Sequence, residues 1–397
     1  MFVSQSFVPH VSVHEGRGLE QLLAEHRSAP LGGAVIEAAY AATDPPLLPR
    51  LRGLRIPYAI DPQSIRFSSP RYLSIHALAE LPYAPARPLP HHTRSTAIDA
   101  MVRMALQFQA THEADFYLTP TLPMHRPTLS AVQAHHQIHT VASDAVGTEV
   151  PAKPLLAAVA PTLMVMRSPY AVYERLLDRA YDGIYVQPIR LNPKHDSVEW
   201  LVSYADFLLQ AHDYKLPVVA ARAGAFGLVL TAVGVDVFDA GLGERESFNL
   251  AALNRPPPQR VLEQSGGPRR RSYSRDLLTS LDTPRLSAVV ASRTLAPRFS
   301  CDIGSCRFGG YDEQLRNPRA HFFHIRQLEL EELRGLPTTE MRVQHMRVRL
   351  QNAIETGRLV NRCLEEAGVD TIRFDHLGVW LAVLTRVATR VATEVPR

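Results

Sequence analysis

The sequence predicts an α/β fold, and within that class a (β/α)8 TIM-type barrel. Three observations predict it. Short apolar runs alternate with longer amphipathic stretches along most of the chain. The apolar runs are nearly continuous, the pattern of parallel strands covered on both faces. The chain has 397 residues, 46% of them hydrophobic, which is ample for one large barrel and its core. Six or more βα units in series favour a closed barrel over an open sheet. A doubly wound sheet is the alternative that pattern alone leaves open.

The elements follow in order. Residues 33–39 (GAVIEAA) and 56–60 (IPYAI) read as buried strands, and 96–111 as a helix. Residues 115–118 (DFYL) form the next strand, and 130–145 a helix with a polar, His-rich face. Strands at 155–159, 183–187, 216–221 and 235–238 alternate with helices at 170–181, 197–212 and 226–233. The rhythm breaks after Asp239, where RPPP (255–258) and SGGP (265–268) signal loops. Residues 286–291 (LSAVVA) are expected to be the last barrel strand. A cysteine-bearing segment (300–311), helices at 319–334 and 339–367, and an amphipathic stretch (371–397) complete the chain. The expected division is a barrel over 1–295, a zinc-binding-like insertion over 296–340, and a closing helix with a C-terminal segment over 341–397.

Bulk properties narrow the class. Three cysteines make no disulfide framework, so a reducing, cytoplasmic setting is expected. The first 18 residues lack a basic start followed by an apolar core, so no signal peptide is expected. No apolar run approaches the roughly 20 residues of a membrane span, so no membrane partner is expected. The net charge of +4 is mild, but residues 268–275 (PRRRSYSR) are locally basic and suited to phosphates. A disordered basic loop fits that stretch equally well.

In a parallel barrel, reactive groups sit where strands end. Asp239 ends 234–239 (GVDVFD) on the same face as Val235 and Val237. A carboxylate there can attack an electron-poor carbon, or it can cap the next turn. Asp61 ends its strand likewise and is a second candidate carboxylate for acid–base work. Cys301 and Cys306, with His321, His324 and His345 downstream, can supply a tetrahedral zinc site; two unrelated thiols fit as well. His135 and His139 share a helix face with no Glu between them in the zincin arrangement. They read as an exposed face rather than a metal site. His91 and His92 have no assigned role, and neither a P-loop nor a dinucleotide fingerprint is present.

Residues 234–239, preceded by Leu216-Pro217 and Ala223-Gly224, resemble a stretch of the tRNA-guanine transglycosylase family. There, a Leu-Pro turn leads through a strand, a Gly loop and a short helix to Gly-Val-Asp-hydrophobic-Phe-Asp. The family's early Asp-Ser-Gly-Gly-Phe motif falls at Asp61-Pro62-Gln63-Ser64, keeping the Asp and losing the glycines. Its Cys-x-Cys-x-x-Cys signature falls at Cys301-x-Ile303-x-x-Cys306. The helix start that follows matches Arg319-Ala320-His321-Phe322-Phe323-His324, and the late His is His345. The likeness covers roughly residues 56–357, with its specific motifs in the second half.

The resemblance implies base exchange at a nucleoside. Asp239 would be the nucleophile at C1′ and Asp61 the acid–base. A structural Zn2+ would be held by Cys301, Cys306 and His345, with Ile303 in place of one family cysteine. The incoming base would be a 7-deazaguanine such as preQ0. The family's guanine-reading Asp, Gln-Gly-Gly and Gly-Gly have no equivalents at 117–120, Ala160-Pro161 and Gln187-Pro188. Substrate contacts are therefore assigned to Gln187, Arg222 and Gly224. The family's Arg-rich loop is replaced by 243–246 (GERE). Together these departures resemble the branch that modifies DNA, so DNA is expected ahead of tRNA as the nucleic-acid partner, with protein partners allowed for. A catalytically silent nucleic-acid-binding subunit and a hydrolase that releases the base are the alternatives.

Overall fold

The computed structural model describes residues 6–25, 31–89, 96–176, 181–242, 247–254, 270–301, 311 and 314–393. Eight parallel strands make the barrel: β1 (Ser6–Val11), β2 (Ala34–Glu37), β3 (Tyr58–Asp61), β4 (Tyr117–Leu118), β5 (Leu155–Pro161), β6 (Gly183–Val186), β7 (Val218–Ala220) and β8 (Val237–Ala240). Their order in the sheet is β3-β2-β1-β8-β7-β6-β5-β4. The first strand thus sits between the second and the last, as closure requires. Val8 pairs with Asp239 across β1 and β8, and Glu37 with Asp61 across β2 and β3. The gap between β3 and β4 is bridged at its lower end. The Asp115 N–H donates to the Tyr58 carbonyl (2.9 Å), and the Tyr58 N–H donates to the Asp115 carboxylate (2.9 Å).

Two sequence expectations change here. Residues 286–291 lie in a helix, α6 (Thr283–Ala291), not a strand. A six-residue apolar run cannot by itself separate strand from helix. The decision comes from its start: Asp282 accepts from the Arg285 N–H, and Pro284 occupies the first turn, where its missing N–H costs nothing. The eighth strand is instead β1, whose sequence SFVPHV mixes polar residues and a proline into a fully buried segment. Its polar residues escape an apolar-run search, although they too point into the protein.

The helices that cover the barrel include α1 (Val13–Glu25), α2 (Thr96–Thr111), α3 (Leu129–Ala145), α4 (Val198–Gln210) and α5 (Phe226–Val233). α5 lies hard against β8: a Cβ on Gly227 would come within 2.1 Å of the Phe238 ring. The His-rich side of α3, expected to face solvent, is buried, with His135 and His139 inside. α3 packs against both α2 and the helix Tyr170–Leu176. Burial holds the His139 imidazole down at about 3, with His135 and His136 adding to the shift, so His139 is neutral in the fold.

After β8 the chain makes an antiparallel hairpin, β9 (Arg271–Ser274) and β10 (Thr279–Asp282). The basic stretch, read either as a phosphate contact or as a loop, is a strand over Arg271–Ser274; residues 255–269, with the RPPP and SGGP signals, lie outside the described residues. α6 is followed by α7 (Pro318–Arg334), α8 (Thr339–Glu366) and α9 (Asp375–Thr393). Phe322 and Phe323 of α7 pack on Phe7 of β1, at 6.1 and 6.4 Å between ring centres. Trp380 of α9 is completely buried against Phe226 of α5, and its indole N–H donates to the Pro193 carbonyl (2.8 Å). The C-terminal helices thus share the core of the barrel.

Candidate active site

Alternation along the barrel strands builds the site. Val8, Val35, Ala59, Phe116, Leu118, Leu156, Ala158, Tyr185, Val219, Ala221 and Val237 form one buried cluster inside the barrel. Side chains two residues further along a strand share its face. Above Val8 stands His10, above Val35 Glu37, above Ala59 Asp61, and above Val237 Asp239. The interior is therefore apolar below and ionisable at the ends where the strands finish, the face on which barrel enzymes carry their chemistry.

His10 is the centre of this layer. Its Nδ1 lies 3.3 Å from Asp239 Oδ2, and its Nε2 lies 3.5 Å from Asp61 Oδ2 and 2.7 Å from Arg222 Nη2. The Tyr185 hydroxyl donates to Asp239 Oδ2 (2.5 Å). The other oxygen, Oδ1, accepts from the Arg222 backbone N–H (2.7 Å). The Arg222 guanidinium donates to Glu37 Oε1 (2.8 Å), and Arg66 approaches the same oxygen at 3.6 Å. Asp61 Oδ1 accepts from the Gln63 N–H (2.8 Å), and Gln63 Oε1 accepts from the Ala39 N–H (3.0 Å).

Burial alone would keep these carboxyls neutral. At Glu37 burial opposes the charge, but Arg222 and then Arg66 outweigh it and hold the carboxyl at about 2. At Asp239 burial again opposes the charge, and the hydrogen bond from His10, the Arg222 guanidinium and the Tyr185 hydrogen bond outweigh it, leaving the carboxyl below its ordinary value. Burial and the neighbouring Asp239 and Asp61 push the Tyr185 phenol well up, so it remains a donor. Arg222 and Gln63 both sit in the left-handed region, at φ 58° and 56°. For residues with side chains that conformation costs of order 1 kcal/mol or more, and such strain gathers at functional sites. At Arg222 it aims the backbone N–H at Asp239 while the side chain reaches Glu37.

The structure brings Asp239 and Asp61 together on the two sides of one imidazole. Arg222 joins them. Gln187 lies just past β6 and is buried, its N–H bonded to the Val159 carbonyl (2.9 Å). Gly224 sits in the turn leading to α5, at φ 59°. Three members of the cluster were not singled out in the sequence: His10, Glu37 and Tyr185. Glu37 ends an apolar strand as Asp61 and Asp239 do, so the same rule finds it. His10 is visible only once 6–11 is known to be a strand. Ile65, Ala160, Phe248 and Leu250 form a separate small apolar group with Ile189 packed on it.

The expected metal residues lie elsewhere. Cys301 lines a cavity of about 430 Å³ with His321 and Gln314. His345 lines a neighbouring one, and both cavities include Arg275, Asp276 and Arg298. The His345 Nε2 makes no hydrogen bond and lies 4.0 Å from Glu332 Oε2. Cys306 and Ile303 lie outside the described residues, as do His91, His92 and residues 243–246. Among the described residues no group of three His, Cys, Asp or Glu side chains is placed to hold a metal ion. Among them too, no helix is long and apolar enough to cross a membrane.

The fold and site thus define an α/β protein with a nearly closed eight-stranded parallel barrel and a buried ionic cluster at its C-terminal mouth. No protein-family model matches the chain, and no curated protein matches it.

Proposed function

We propose that the protein is a base-exchange transglycosylase of the guanine-replacing kind, acting on a polynucleotide, DNA ahead of tRNA. The observation that carries the reading is the placement of Asp239 and Asp61 around His10 at the barrel mouth. The resemblance of residues 234–239 and 319–324 adds the substrate class. Asp239, held as an anion, attacks C1′ of the target guanosine; the C1′–N9 bond breaks and a covalent nucleotide–enzyme ester forms. Asp61 protonates the departing guanine and then takes the proton of the incoming 7-deazaguanine, such as preQ0, whose nitrogen displaces Asp239. Asp239 Oδ2 must first give up one of its two hydrogen bonds to reach the sugar. The target base must leave its stack to enter the barrel mouth. Gln187, Arg222 and Gly224 remain the proposed substrate contacts.

In this reading Zn2+ would be a structural ion held by Cys301, Cys306 and His345, and would supply rigidity to the segment that precedes α7. The full hydrogen bonding of Asp239 favours a second reading, a catalytically silent nucleic-acid-binding subunit. Incubation with labelled preQ0 and either DNA or bulk tRNA separates the two. Exchange is expected for the wild type and absent in Asp239→Ala. Label entering neither polymer sinks the exchange reading; equal labelling by both proteins sinks Asp239 as nucleophile. Metal analysis of the wild type and Cys306→Ala tests the zinc claim, and a metal-free wild type ends it.

A further inference from the structure

Three groups face His10 Nε2, Asp61 Oδ2 at 3.5 Å, Glu37 Oε1 at 3.8 Å and the Arg222 guanidinium, and the shortest of these contacts, to Arg222, decides which ring nitrogen donates. The Arg222 and His10 nitrogens are 2.7 Å apart, and a guanidinium has donors but no acceptor. His10 Nε2 must therefore offer a lone pair, which leaves the ring proton on Nδ1. Nδ1 faces Asp239 Oδ2 at 3.3 Å. The guanidinium cannot turn away easily, because the same Nη2 donates to Glu37 Oε1 at 2.8 Å and Arg222 is buried. Its backbone is also committed, with the N–H on Asp239 Oδ1 and φ at 58°.

We propose that His10 is a positioning residue: Arg222, clamped by Glu37, caps its Nε2, keeps the ring proton on Nδ1, and so makes it the donor that orients the Asp239 carboxylate. Arg222 holds Asp239 twice, directly through its backbone N–H and indirectly through the tautomer of His10. Free neutral histidine in water prefers the proton on Nε2, so the lock reverses an intrinsic preference. Which nitrogen carries the proton is set by what the other one bonds. The lock stands on the contacts alone, whereas its effect on turnover rests on the function proposed above.

The test has one arm without substrate and one with it. Long-range ¹H–¹⁵N spectra of the full chain labelled at histidine report the tautomer at neutral pH, with His10 assigned from His10→Asn and checked against Asp239→Asn. An Nδ1–H ring in the wild type that loses this form in Arg222→Met is expected. An Nε2–H or doubly protonated His10 in the wild type overturns the proposal. In the exchange assay, His10→Asn places an amide donor near Nδ1, while His10→Gln places its amide near Nε2. His10→Asn is expected to keep kcat within about tenfold, while His10→Gln and His10→Phe lower it about 100-fold with KM little changed. Equal losses in His10→Asn and His10→Gln, at wild-type thermal midpoints, overturn the positioning role. A wild type with no exchange removes the function but leaves the spectra to decide the lock.

Discussion

Replacing Glu37 by Gln removes one negative charge from the buried cluster and leaves the Arg222 guanidinium with a neutral acceptor. The size of the effect follows from the carboxyl itself. In the unfolded chain it ionises near 4.5 and in the fold at about 2. At about 1.4 kcal/mol per tenfold change in proton affinity, that difference contributes about 3 kcal/mol to stability at neutral pH. The side chain is only 13% exposed, so solvent screening takes little away. The sign is that of a depressed acid: the contribution is fully present above about 4.5 and is lost as pH falls through about 2. Stripping the counter-charge from a buried arginine gives a loss of similar size, about 3–5 kcal/mol. Denaturant unfolding of wild type and Glu37→Gln at neutral pH should differ by about 3 kcal/mol, narrowing as pH drops toward 2. A difference under about 1 kcal/mol at neutral pH, or curves that stay parallel down to pH 2, would refute the argument that Glu37 is a buried anion clamped to Arg222.

Other outcomes follow from the packing. His139 ionises at about 3 in the fold against 6.5 unfolded, so between these values the unfolded chain binds more protons and stability falls as pH falls. His139→Phe should flatten the thermal midpoint over that window, and an unchanged pH profile would contradict the burial of the ring. Gly227→Ala drives a methyl group into the Phe238 ring and should cost about 1–3 kcal/mol in chemical denaturation; a neutral result would mean α5 does not sit against β8. Trp380→Ala opens a cavity between α9 and α5 and removes the bond to Pro193, for a loss of about 3–5 kcal/mol by the same measurement.

Much of the candidate site was legible because its carboxylates end apolar strands. Asp61 and Asp239 each close a run whose alternate residues are apolar, and the barrel rule sends such a residue to the mouth. The metal residues were legible as cysteine and histidine spacing that two unrelated thiols fit equally well, and the resemblance selected Cys301, Cys306 and His345 among them. The buried face of α3 was misread because two imidazoles score as polar while a neutral histidine, once buried, packs like an aromatic ring; His139 lies edge-on to Tyr181 at 5.4 Å between ring centres.

Sequence periodicity by itself determined that the chain is α/β, where most strands and helices run, and that Asp61 and Asp239 stand at strand ends. These are local properties, set by alternation over four to eight residues. Which strand closes the barrel was decided only by tertiary structure, since β1 earns its place through pairing with Val237–Ala240, over 200 residues away. The same closure gathers His10, Glu37, Asp61, Tyr185, Arg222 and Asp239 from six strands or strand ends. Only there does a histidine meet a guanidinium on one nitrogen and a carboxylate on the other, because contacts across a barrel leave no trace in spacing along the chain.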